Sequence, residues 1–129
     1  MKNLKMVKVF FSQPMNGLAI DEILKERTFM LSEFREFLIK ELGFDDDIVI
    51  QDVNCMFDEK GPDNAGRLWY LGRSIQTMDN ADYIVFHKDW RDANGCRVEY
   101  AAALQYFKWI IHMDVPDIKY VDEIHFGKI

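Results

Sequence analysis

Two periods of hydrophobic residues alternate along this chain. Short runs of β-branched and aromatic side chains at 6–11, 48–50, 83–86 and 109–113 have the length and composition of buried strands. Between them lie stretches with helical spacing. Ile20, Ile23, Leu24, Met30, Leu31, Phe34, Phe37, Leu38 and Leu42 recur at helical intervals, with Glu22, Lys25, Glu26, Arg35 and Lys40 filling much of the other face. This predicts a long helix over about 19–42, shaped at its start by Asp21 and stopped by Gly43. A second helix is expected over 68–78 despite Gly72, and a third opens at Gly95 and runs through Val98, Ala102 and Leu104. Pro116 ends the last of the four strands. The tail beyond it, with Ile118, Tyr120, Val121, Ile124 and Phe126, is expected to add a strand or to pack on a neighbour.

The order is therefore βαβ, a long connection, then αβαβ, which argues for a mostly parallel sheet with helices on both faces. With 129 residues, the chain is long enough for one core and too short for two comfortable domains, so 1–129 reads as one domain. Nearly half the residues are apolar, which excludes a disordered chain. A formal charge of −6 argues against a nucleic-acid polymer as partner, although a free nucleoside or nucleotide needs no basic surface. No run approaches the roughly 20 apolar residues of a membrane span, and residues 1–8 lack a signal-peptide core. The expected setting is the cytoplasm, without a membrane partner.

Chemistry concentrates in two places. The stretch from Asp82 to Ala103 passes from a strand through a polar loop, 87–94, into the third helix, and sets Glu99 near its first turn. A carboxylate beyond the carboxyl end of a strand lies where ligands bind in open α/β sheets. An acidic first turn also complements the helix dipole, for about 0.3–1 kcal/mol, so position alone does not decide its role. The second place is the loop Ser12-Gln13-Pro14-Met15-Asn16-Gly17, which follows the first strand. Its hydroxyl, two amides and backbone N–H groups suit a phosphate, carboxylate or sugar hydroxyl, and they suit an ordinary turn equally well. Trp90 reads either as a core residue or as a stacking surface for a base, and Asp92 as a helix cap or a sugar ligand.

Other features weigh less. The segment 51–67, with Asn54, Asp58, Asp63 and Asn64, is long for a connection and reads as a lid or partner-contact segment. Asp45, Asp46 and Asp47 read as a solvated turn and not as a metal loop. Cys55 and Cys96 suggest neither a disulfide framework nor a zinc site. Cys96 falls at a helix N-terminus, which can lower a thiol's pKa.

Several of these segments together resemble a known family. Phe10-Phe11-Ser12-Gln13-Pro14-Met15-Asn16-Gly17, Trp69-Tyr70-Leu71-Gly72-Arg73-Ser74, Asn80-Ala81-Asp82 and the block from Asp89 to Glu99 are similar to the nucleoside 2-deoxyribosyltransferase-like superfamily, in its small bacterial and phage branch. The likeness covers about 7–113, and the Gly95-x-x-x-Glu99 spacing after Trp90 is its most specific part. It implies a flavodoxin-like three-layer fold with four to five strands and a homo-oligomer, a dimer or larger. It also implies a nucleoside or nucleotide substrate, with Glu99 as nucleophile in 2-deoxyribosyl transfer or N-glycoside hydrolysis. By the same likeness Phe10, Ser12, Gln13, Asn16, Gly17, Ser74, Trp90, Asp92, Asn94 and Gly95 would line the substrate site. Two positions depart from the family. Phe10 stands where it carries a tyrosine that orients the nucleophile, and Ser74 where it carries an aspartate that assists the leaving base. A module that binds a nucleotide or an ADP-ribose-like ligand without turnover is the alternative.

Overall fold

The computed structural model describes residues 6–54, 61–106 and 108–113, together with the backbone of 120–126. Five strands form one sheet: β1 (Met6–Ser12), β2 (Val49–Asp52), β3 (Tyr83–His87), β4 (Trp109–Met113) and β5 (Tyr120–Phe126). Their spatial order is β2-β1-β3-β4-β5, with the first four parallel and β5 antiparallel on β4. Three helices complete the described chain: α1 (Ile20–Lys40), α2 (Arg67–Met78) and α3 (Asn94–Gln105). The architecture is α/β, flavodoxin-like and three-layered. Residues of the tail do add a strand, whereas Pro116 lies outside the described residues.

Alternation along the strands decides which side chains meet which helix. Val7, Val9 and Phe11 of β1, Val85 of β3, and Ile111 and Met113 of β4 pack with Met30, Phe34, Phe37 and Leu38 of α1. The alternate residues Phe10, Ile84, Phe86 and Ile110 form a second core with Met78 of α2 and Cys96 and Ala103 of α3. Each large side chain so buried stabilises the fold by about 1.5–3 kcal/mol relative to exposure. The Met and Phe stripe of α1 is core.

Both ends of α1 follow from local chemistry. Gly17 has φ of +81° in the turn Met15–Leu18, and Gly43 has φ of +74° just past the helix, conformations that penalise a Cβ. Gly43 lets the N–H of Phe44 donate back to the carbonyl of Leu38, which closes the helix. The strand ends shift from their sequence limits. Parallel pairing carries β1 one residue further, to Ser12 beside Phe86, and carries β3 to His87 beside Met113. β2 begins at Val49 and runs to Asp52, because its pairing with β1 extends to Val9. The polar loop after β3 contains a single 3-10 turn, Trp90–Asp92.

Candidate active site at the carboxyl edge of the sheet

The parallel strands bring their carboxyl ends together, and buried polar side chains gather there. Ser12, Gln13, Asn54, His87 and Glu99 all follow or end a strand or lie in the helix beyond one, and Arg27 reaches them from α1. Ser12 and Gln13 point to opposite faces, so the polar groups divide into two sets.

On the α3 face Glu99 is 8 % exposed, one turn into the helix. The Ser12 hydroxyl donates to its Oε1 at 2.6 Å. Burial pushes the carboxyl up from 4.5 to about 7, against the opposing effects of the Ser12 hydrogen bond and the Arg27 charge. Glu99 therefore exchanges its proton near neutrality. Cys96 lies three residues earlier on the same helix and is buried. Burial pushes its thiol up to about 11, although Ser12 hydrogen-bonds to it. The lowering expected from a helix N-terminus is overridden by desolvation, and Cys96 is not an activated nucleophile. Cys55 lies outside the described residues.

On the α1 face Arg27 donates from Nε to Gln13 Oε1 at 2.9 Å, and its Nη1 lies 3.4 Å from Asp52 Oδ2. Gln13 also donates to the Ile23 carbonyl at 3.2 Å. His87 accepts the Asp89 N–H at Nδ1, 3.0 Å away, which leaves Nε2 as the ring's N–H. That nitrogen faces Glu26 Oε2 at 3.4 Å. Asn54 donates to the Phe11 carbonyl at 3.2 Å. This ties it to β1 instead of leaving it in a loose loop, while 55–60 lie outside the described residues.

The other residues expected at the site take varied places. Phe10 is wholly buried in the second core, on the same face of β1 as Ser12. Trp90 belongs to that core too, with its ring stacked on Tyr100 at 4.0 Å and the Arg91 guanidinium 4.7 Å from its centroid. As placed, it offers little ring surface to a ligand. Ser74 is buried in α2, and Gly95 faces Leu71 of the same helix. Asn16, Gly17 and Asp92 are exposed. Asn94 is also exposed and accepts a hydrogen bond from Arg97, which also donates to the Arg91 carbonyl at 2.6 Å. The geometry thus joins Ser12 directly to Glu99, while Gln13 belongs to the network across the sheet.

Arg27, His87, Glu26 and Asp52 were not singled out from the sequence. Arg27 did carry a signal: it lies four residues after Ile23 and three before Met30, in phase with the buried stripe of α1. Among the described residues no group of three or more His, Cys, Asp and Glu could hold a metal ion. Also among them, no helix is long and apolar enough to cross a membrane. A shallow hollow of about 320 Å³ opens at the opposite, amino edge of the sheet, lined by Met6, Val7, Phe44, Asp82, Tyr83 and Trp109. It is removed from Glu99, and the chemistry favours the carboxyl edge.

No match was found among protein-family models, curated proteins or solved structures.

Proposed function

We propose that the chain is an N-glycosidase or 2-deoxyribosyltransferase acting on a nucleoside or nucleotide, with Glu99 as nucleophile. The observation that carries this reading is a nearly buried carboxylate, held by a hydroxyl at the carboxyl edge of a parallel sheet and titrating at about 7. The motif resemblance around Gly95 and Glu99 supports it. In the first step ionised Glu99 bonds to C1′ of the sugar. The C1′–N bond breaks, and its electron pair leaves on the base, which takes up a proton from solvent; the attacking water or base gives one back in the second step. Water or a second base then attacks C1′, frees the carboxylate and completes hydrolysis or transfer. No metal or organic cofactor enters these steps, and the expected working form is a homo-oligomer of dimer size or larger.

One observation favours a second reading, a nucleotide-binding or ADP-ribose-binding module without turnover. Glu99 is enclosed beside the core, within the electrostatic reach of Arg27, and retains its proton well above the ordinary carboxyl range.

Incubation with deoxynucleosides and their 5′-monophosphates, with and without an acceptor base, separates the readings by chromatography. Base release or exchange that disappears in Glu99→Gln supports glycosyl transfer. Absence of turnover together with Glu99-dependent thermal stabilisation by a nucleotide supports the binding module. Absence of both refutes each reading.

A further inference from the structure

Ser12 ends β1, where its backbone pairs with Phe86 of β3, and its side chain is 1 % exposed. So placed, the hydroxyl has almost no surface to offer a ligand. It has a near partner within the protein, since its 2.6 Å approach to Glu99 Oε1 lies in the range of a hydroxyl donating to an ionised carboxylate. Phe10, the preceding residue on that face of the strand, is wholly buried and brings no polar atom. Two other titratable groups are coupled to Glu99: Arg27 lowers its pKa, and Cys96 feels its charge. Cys96 shares its helix, and Arg27 lies on α1 across the sheet.

We propose that Ser12 is the positioning residue for Glu99, its hydroxyl fixing Oε1 so that Oε2 is the oxygen presented to a ligand. The kinetic consequence rests on the reading of Glu99 as a nucleophile; the fixing of the carboxyl group does not. A rigid strand tip supplies the hydroxyl and a helix supplies the carboxylate, so the pair stays aligned without a loop having to close. The same contact favours the charged form of Glu99, and thereby sets the pH above which the carboxylate is available. Ser12 thus passes from the ligand-contacting loop, where its sequence position put it, to the support of the reacting group.

The test compares the wild type with Ser12→Ala and Ser12→Thr. The Glu99 carboxyl carbon is followed by NMR through a pH titration, with Glu99→Gln used to assign the signal. Loss of one hydrogen bond to an ionised group moves the Ser12→Ala midpoint up by about one to two pH units. Threonine, which keeps the hydroxyl, restores the wild-type midpoint. Where turnover is measurable, Ser12→Ala lowers kcat more than it changes KM, and moves the acid limb of the rate profile by the amount seen in the NMR titration. An unchanged midpoint in Ser12→Ala, or a threonine variant that behaves like alanine, overturns the proposal. These titrations decide the role of Ser12 even if the wild type shows no turnover, an outcome that counts against the glycosyl-transfer reading alone.

Discussion

Replacing Glu99 by glutamine probes the electrostatics of the site without any substrate. In the folded chain burial moves the carboxyl from 4.5 up to about 7. Between those values the native state keeps a proton that the unfolded chain has released. The stability held below the lower value is therefore lost as pH rises, and the loss is complete just above the higher one. At about 1.4 kcal/mol per pH unit, the gap corresponds to roughly 3 kcal/mol carried by ionised Glu99. Glutamine keeps the shape and an oxygen that accepts from Ser12, but it cannot ionise. Urea unfolding of both proteins, from about pH 4 to about pH 8.5, would read the effect, because other titrating groups cancel in the difference. The two should be nearly equal in stability at the acid end. Glu99→Gln should be the more stable by roughly 3 kcal/mol at the alkaline end. A difference that stays flat with pH would show that Glu99 titrates alike in both states, and the account of a desolvated carboxyl would fall.

Further outcomes follow from the same geometry at three other residues. Arg27→Met should cost roughly 3 kcal/mol or more in urea unfolding, since Gln13 and Asp52 lose a cation at a buried position. The same variant should raise the Glu99 midpoint, and an unmoved midpoint would deny the influence of Arg27 across the sheet. Trp90→Ala should lose about 3–5 kcal/mol together with near-ultraviolet dichroism from the stack on Tyr100, whereas a loss within experimental error would place the ring outside the core. Cys96 should resist a thiol reagent at about pH 8 in the native protein and react once the chain unfolds. The native rate of Cys96→Ala should therefore match that of the wild type.

The strands and the long helix were legible because periodicity is a local property. Val7, Val9 and Phe11 declare one face of β1, and Met30, Phe34 and Phe37 declare one side of α1, whatever they later touch. Glu99 was legible by its place after a strand. Its partner was only half so, since the hydroxyl of Ser12 was seen as loop equipment and β1 was expected to stop before it. Pairing with Phe86, a residue far away in sequence, carried the strand on and turned the side chain toward α3. Arg27 shows the opposite difficulty. A charged residue inside an apolar stripe looks like an exception until Gln13 and Asp52 arrive from two other elements to receive it. For Cys96, position within the helix suggested one direction for the thiol and burial imposed the other, because solvent exclusion depends on what α3 packs against.

The division at the tip of β1 has a consequence for folding fidelity. Ser12 and Gln13 are neighbours in sequence with different correspondents, one a carboxyl group on α3 and the other a guanidinium on α1. Sliding the strand by one residue would exchange the two faces and set Phe10 among the residues of α1; one direction brings the amide to Glu99 and withdraws it from Arg27, the other brings the hydroxyl to Arg27 and withdraws it from Glu99. Hydrophobic residues alone discriminate weakly against such an error here, because Phe10 and Phe11 are alike in shape and both are wholly buried. The polar pair makes the mistake recognisable: the misaligned strand would strand buried donors and acceptors without matching partners. The end of β1 thus serves as an indexing mark for the parallel sheet, read at the same place where the chemistry is held.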